Sequence, residues 1–238
     1  MTSKTNKSLT NNKYWAVVPS AGVGRRMGAA IPKQYLEINN KAVIEYALDC
    51  LLSHPTINGL VMAMHPDDNC WAEISLHAER PFSIVDGGEE RCHSVLNALS
   101  FLLEKVDAND WVLVHDAARP CLRHEDIDRL IEQASKDVGG ILAVPVRDTM
   151  KRADAEQHIN ETVDRNQLWH ALTPQMFRLG QLHEALTQAL NSNALVTDEA
   201  LAMELAGYKP LLVEGHADNI KITRPEDLAL AEFYLHQQ

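Results

Sequence analysis

The stretch Trp15-Ala16-Val17-Val18-Pro19, running into Ser20-Ala21-Gly22-Val23-Gly24-Arg25-Arg26-Met27-Gly28, decides how the rest of the chain is read. An uninterrupted apolar run that ends in a glycine-bearing loop is the pattern of a strand buried on both faces, as in a parallel sheet. Leu60–Met64, Trp111–Val114 and Ile141–Val144 repeat it. Between these runs the apolar spacing changes to that of helices. Val95, Ala98, Leu99 and Leu102 fall at i, i+3, i+4 and i+7, as do Ile127, Leu130, Ile131 and Ala134, and again Leu182, Ala185, Leu186 and Ala189. A last helix opens at Pro225, with Glu226 and Asp227 where the helix dipole favours anions. Strands alternating with helices predict an α/β fold with a mainly parallel, doubly wound sheet, whose ligands sit beyond the carboxyl ends of the strands.

One segment breaks that rhythm. Residues 146–171 carry Arg147, Asp148, Lys151, Arg152 and Arg165, with two β-like pieces around the polar stretch Asp154–Asn160, and predict a hairpin arm leaving the core. The remainder reads as one domain over 14–238, a size at which a single α/β core is common. Residues 1–13 lack the apolar stretch of a secretory signal and are expected to form a disordered tail. The stop at Gln238 gives the expectation that no second enzyme is fused downstream.

The net charge of −11 argues against general binding to nucleic acid or a membrane surface, because polyanions are repelled over most of such a protein. Any anionic ligand must therefore meet local positive charge. No apolar run approaches the roughly 20 residues needed to span a bilayer. Cys50, Cys70, Cys92 and Cys121 form no Cys-x-x-Cys pair, which suggests neither a zinc knuckle nor a disulfide framework and fits a reducing, cytoplasmic setting.

Two places concentrate chemistry. The glycine loop carries Arg25 and Arg26 and is followed by Pro32-Lys33-Gln34. Gly22 and Gly24 begin a dinucleotide fingerprint, but Met27 stands where its third glycine belongs, and no Gly-Lys-Ser/Thr of a P-loop follows. What remains is a loop whose backbone N–H groups can approach phosphates, with cations beside it, or else a solvated basic turn. His115-Asp116-Ala117-Ala118-Arg119-Pro120 follows directly on Trp111–Val114, so Asp116 emerges at the carboxyl edge of the sheet. A carboxylate there suits Mg²⁺ bound together with substrate phosphates; an Asp paired to Arg119 in a turn accounts for it equally well.

Asp86-Gly87-Gly88-Glu89-Glu90-Arg91, ahead of the helix bearing Ser94, is a weaker candidate for reading a base or ribose, since an acid-capped glycine turn has the same composition. Lys221, in Asn219-Ile220-Lys221-Ile222-Thr223-Arg224-Pro225, is expected on a short strand before the last helix. The eleven histidines show no His-x-x-x-His or His-Glu-x-x-His spacing and receive no metal role. No Gly-x-Ser-x-Gly elbow supports a serine nucleophile.

Taken in order, residues 19–27, Pro32-Lys33-Gln34-Tyr35, Asp86-Gly87-Gly88, His115–Pro120 and Asn219–Pro225 closely resemble 2-C-methyl-D-erythritol 4-phosphate cytidylyltransferases. The resemblance extends to residues 145–151, Val163-Asp164-Arg165-Asn166, Thr173-Pro174-Gln175 and Thr197-Asp198-Glu199-Ala200, and covers residues 14–236. Ser20 departs from a common Ala and Val23 from a frequent Phe, neither altering charge. The resemblance implies a Rossmann-like nucleotidyltransferase that moves CMP from CTP to 2-C-methyl-D-erythritol 4-phosphate. It also implies Mg²⁺ or another divalent cation and a homodimer clasped by the arm.

By position, the resemblance implies that Arg26 and Lys33 stabilise charge at the α-phosphorus, and that Lys221 and Arg165 hold the acceptor phosphate. Asp116 would face the metal or the acceptor hydroxyls, Arg119 and Thr197 the acceptor side, and Gly88 with Ser94 the cytosine. Ser20, Ala21, Gly22, Gly24 and Thr173 complete the binding set, while Arg165 and Thr149, on the arm, would serve the neighbouring subunit. Three other functions compete: a ribitol-5-phosphate cytidylyltransferase, a non-catalytic CTP-binding regulatory module, and a nicotinamide-dependent dehydrogenase. The misplaced glycine and the dense cations count against the last.

Overall fold

The computed structural model describes residues 12–22, 31–76 and 78–238; Val23, Gly24, Arg25 and Arg26, and all but two residues of the expected tail, lie outside them. In chain order the elements are β1 (Tyr14–Pro19), β2 (Glu37–Ile38), β3 (Lys41–Ala42), α1 (Val43–Ser53), β4 (Ile57–Met64) and β5 (Phe82–Asp86). There follow α2 (Arg91–Leu103), β6 (Trp111–Val114), α3 (His124–Ala134), β7 (Gly139–Pro145), β8 (Met150–Ala153) and β9 (Ile159–Val163). The chain continues through β10 (Trp169–Arg178), α4 (Leu179–Asn191), α5 (Glu199–Leu205), β11 (Leu211–Glu214) and α6 (Glu226–Leu235).

The central sheet has seven strands in the order β11-β7-β10-β6-β1-β4-β5. Among the described residues only β10 runs antiparallel to its neighbours. Side chains alternate along each strand, and helices cover both faces, which is why the strands read as continuous apolar runs. Ala16, Val18, Leu60, Met62, Trp111 and Leu113 pack with Ile44, Leu48 and Leu51 of α1 and Ile127 and Leu130 of α3. The intervening Val17, Val61, Val112 and Val114 face the other way, onto Val95, Leu99 and Leu102 of α2 and Leu182 and Leu186 of α4. Burying each such Val, Leu or Ile contributes about 1.5–3 kcal/mol before chain entropy is counted, so the two apolar layers hold the strand ends in place.

The order of connections fixes where a ligand can bind. From β1 the chain moves outward to β4 and β5, then returns to lay β6 on the other side of β1. Connections therefore diverge between β1 and β6, and a crevice opens at their carboxyl ends. Val17 pairs with Val114, and the His115 N–H donates to the Val17 carbonyl at 2.9 Å, so Ser20 and Asp116 leave the sheet close together.

Strands β8 and β9 form a separate two-stranded hairpin whose side chains are almost all exposed. Its turn is held by Asp154, whose Oδ1 accepts the N–H groups of Glu156 and His158. The protrusion is shorter than residues 146–171, because Trp169, His170 and Ala171 already pair with Pro145, Val144 and Ala143 of β7. The alternating, partly polar sequence at Trp169–Ala171 belongs to the far end of a ten-residue strand, not to the arm. Lys221 also departs from expectation: residues 219–223 form no strand. That segment is instead tied to the loop after β6 by the Ile222 N–H, which donates to the Ala118 carbonyl at 2.9 Å. Its exit into α6 is fixed by Asp227, whose Oδ2 accepts from the Thr223 N–H and hydroxyl and the Arg224 N–H.

Candidate functional site

A cavity of about 400 Å³ occupies the crevice between the ends of β1 and β6. Its walls come from five segments: the loop after β1, the turn at Lys33 and Gln34, the start of α2, the loop bearing Asp116 and the loop bearing Lys221. Gln34 joins the first two, since its Nε2 donates to the carbonyls of Ser20 at 3.0 Å and Gly22 at 3.3 Å. Gly87 lets the third wall close, because a Cβ there would lie 2.3 Å from the Cβ of Ala21. The glycine at 87 is thus required by packing, not by backbone torsion.

Asp116 is the hub of the floor. Its Oδ1 accepts from Arg91 Nε at 2.9 Å, its Oδ2 lies 2.8 Å from Lys221 Nζ, and Arg119 Nε is 3.5 Å from Oδ2. Burial alone would raise the carboxyl pKa, but the three cations, Arg91 foremost, hold it well below the usual carboxylate range. Arg91 is itself shared: Nη1 and Nη2 donate to the two oxygens of Glu199, at 2.6 and 3.0 Å. Burial would lower Arg91, and Glu199 with Asp116 more than reverses that. Two buried carboxylates thus meet three cations at a net charge of about +1, within a chain of −11. Lys33 brings a further positive charge to the cavity, its Nζ donating to the Ile222 carbonyl, next in the chain to Lys221, at 2.8 Å.

A neutral network braces this cluster from beneath. His115 Nε2 is 3.1 Å from the Arg119 carbonyl, which can only accept, so Nε2 carries the proton and Nδ1 accepts from the Thr173 hydroxyl at 3.0 Å. The same Thr173 oxygen accepts the Asp116 N–H at 3.2 Å. Complete burial pushes the His115 pKa down to about 4, keeping the ring neutral. Asn219, wholly buried, donates to the Thr173 carbonyl at 2.8 Å and accepts from Arg119 Nη1 through its own carbonyl at 2.6 Å. The loops after β6 and before α6 are locked into one unit.

The structure brings Ser20, Ala21, Gly22, Lys33, Gly88, Ser94, Asp116 and Lys221 to the cavity wall. It does not bring the rest there. Arg119 and Thr173 lie buried behind Asp116, because their polar atoms are already engaged with Asn219, His115 and the Asp116 backbone. Thr197 is exposed and outside the cavity, since the chain turns at Asp198 to cap α5. Arg165 and Thr149 sit on the arm, away from the cavity of their own chain, with Arg165 Nη1 donating to the Arg147 carbonyl. Ser94 is committed within its wall: its hydroxyl donates to the Glu90 carbonyl at 3.2 Å and accepts the Gly88 N–H at 3.0 Å. Gly24 and Arg26 lie outside the described residues.

Sequence reasoning missed Arg91 and Glu199 as site residues. Each falls in a quoted motif, but 108 positions separate them, and no local spacing marks them as a pair. The signal available was a charged residue at the first position of a predicted helix on the ligand edge.

A family model described as 2-C-methyl-D-erythritol 4-phosphate cytidylyltransferase matches residues 14–237. An enzyme of that name from Vibrio vulnificus (strain YJ016) is 55% identical over 224 residues, covering 94% of each chain. One from Pseudomonas aeruginosa PAO1 is 56% identical over 217 residues, covering 90% of this chain and 93% of the relative. Among solved structures, the Francisella tularensis enzyme of the same name superposes with a TM-score of 0.81 at 35% identity, covering 94% of this chain and 100% of that one.

Proposed function

The chain belongs to the 2-C-methyl-D-erythritol 4-phosphate cytidylyltransferase family, and from that membership we infer that it transfers CMP from CTP to 2-C-methyl-D-erythritol 4-phosphate in the cavity beyond β1 and β6. The products are 4-diphosphocytidyl-2-C-methyl-D-erythritol and pyrophosphate, and the reaction serves isoprenoid precursor synthesis. The observation that carries the placement is the concentration of Lys33, Lys221 and Arg91 around buried Asp116, at the carboxyl edge of a strongly acidic protein.

Both reactants are anions, and an oxygen of the acceptor phosphate attacks the α-phosphorus as the bond to pyrophosphate breaks. An ionised phosphate is already a nucleophile, so no general base is needed, which agrees with a His115 ring held neutral and turned away into the core. Catalysis then falls to preorganised positive charge that acts on the charge developing at phosphorus. Lys33 and Lys221 both line the cavity and supply it, and the family resemblance adds Arg26 to the set. Gly88 and Ser94 bound the side assigned to cytosine. Arg91 and Arg119 hold Asp116 ionised and still.

Asp116 puts a hard carboxylate on the wall, a ligand type that fits Mg²⁺, which keeps several waters and enters with the triphosphate. Asp116 would hold the ion, and Lys221, whose side chain is 36% exposed, pairs with the same carboxylate. Such an ion neutralises phosphate oxygens as charge builds. Arg165 and Thr149 are proposed to complete the cavity of a second copy in a homodimer, because neither reaches its own. No helix among the described residues is long and apolar enough to cross a membrane, and we propose a cytoplasmic enzyme.

Phosphorus NMR of the purified protein with CTP, the acceptor and Mg²⁺ tests the reading. The acceptor's monoester signal should vanish as the paired signals of a P–O–P diphosphate appear. A monoester signal that persists, with CTP intact, rejects transfer.

A further inference from the structure

The first turn of α2 carries a second constellation that the transfer reaction does not use. Glu90, Cys92 and His93 each offer one ligand atom, and these three atoms lie within 4.8 Å of one another. The Cys92 thiol points at Glu90, with Sγ 3.7 Å from Oε2. The Nδ1 of His93 is buried and has no hydrogen-bond partner among the described residues, a cost that a ligand would relieve.

We propose that Glu90, Cys92 and His93 form an inhibitory binding site for a thiolate-preferring divalent cation, with Zn²⁺ as the fitting ion, at the rim of the cavity. One sulfur, one imidazole nitrogen and one carboxylate oxygen match the mixed donors that Zn²⁺ accepts, and three protein ligands leave its fourth position open to water. Mg²⁺ binds oxygen and keeps its waters, so a sulfur and nitrogen pair selects against it. The site is therefore chemically distinct from the carboxylates on the cavity floor. Binding draws the thiolate and imidazole onto the ion, and the thiol proton leaves to solvent.

The inhibition follows from what the three residues hold. Glu90 lines the cavity, and its carbonyl accepts the Ser94 hydroxyl that in turn receives the Gly88 N–H. Gly88 packs so closely on His93 that a Cβ would come within 2.3 Å of the His93 Cβ. Arg91, which anchors Asp116, sits between Glu90 and Cys92 in the chain. Fixing residues 90, 92 and 93 on one ion shifts this wall and with it the hold on Asp116.

The test uses the whole protein with Co²⁺ as a visible stand-in and Zn²⁺ as competitor, in excess Mg²⁺. One Co²⁺ per chain with a thiolate charge-transfer band, displaced by Zn²⁺, is expected. Cys92→Ser should abolish the band, and His93→Gln, at a half-buried position that tolerates an amide, should weaken binding about 10-fold or more, the size found for lost metal-site groups. Cys70→Ser should change nothing. Absence of the band, or a band that survives Cys92→Ser, overturns the site. In the second arm Zn²⁺ should inhibit pyrophosphate release by the parent protein and not by His93→Gln; equal inhibition of both overturns the inhibitory role. That arm alone rests on the transfer reaction proposed above, so a failed reaction and a failed site are told apart by the Co²⁺ spectra.

Discussion

Replacing His115 by Gln isolates the network that braces the site. The imidazole is fully buried, donates from Nε2 to the Arg119 carbonyl and accepts the Thr173 hydroxyl at Nδ1. Burial lowers its pKa from an ordinary value of about 6.5 to about 4. Between those pH values the unfolded chain binds a proton that the folded chain refuses. Stability is fully retained above about pH 6.5 and falls as the pH drops toward 4. At 1.36 kcal/mol per pKa unit, the gap of about 2.5 units is worth about 3 kcal/mol.

Burial also lowers His54 and His183, but they are present in both proteins, so the difference between parent and variant belongs to His115. Urea unfolding at intervals from pH 4 to 7.5 measures it. The variant should be less stable than the parent near pH 7, because one of two network bonds is lost, and as the pH falls the parent should lose about 3 kcal/mol relative to the variant, narrowing the gap and then reversing it. A gap that stays constant across the range refutes the neutral, buried imidazole and the tautomer assigned to it.

Three further outcomes follow from the same geometry. Lys33→Ala removes a cation from the cavity wall and should lower kcat about 10²- to 10³-fold in a pyrophosphate-release assay, the range found for loss of one transition-state donor. Glu199→Gln leaves Arg91 with one full carboxylate partner and should cost about 2–4 kcal/mol in urea unfolding, near the lower end for breaking a buried pair. If Arg165 serves the neighbouring cavity, mixing the inactive Arg165→Ala and Lys33→Ala proteins should restore activity through dimers that hold one cavity with both residues intact. Mixtures no more active than their components would remove the shared site.

The two-sided core was legible because both faces of β1, β4 and β6 are covered, leaving apolar runs without polar interruption. Strand β10 was not, since His170, Thr173 and Gln175 interrupt its pattern, and its antiparallel direction is set by pairing with β6 and β7 rather than by any local signal. β11 escaped for a related reason: as an edge strand it exposes Leu212 and Glu214 and carries only a short alternation. At the site, Asp116 and Lys33 stood out because sequence order alone puts them on the ligand edge. Arg119 and Thr173 were given substrate roles because a motif names residues without saying which way they face. The Arg91 and Glu199 pair depends on a contact that only the folded sheet creates.

The most direct test of cytidylyl transfer is pyrophosphate release by the purified protein with Mg²⁺, offering each nucleoside triphosphate in turn with methylerythritol phosphate, ribitol phosphate or no acceptor. Rapid release with CTP and methylerythritol phosphate alone, reduced at least tenfold by Lys221→Ala, is the predicted result. Release driven by ribitol phosphate, or silence with every acceptor while CTP remains bound, would contradict it.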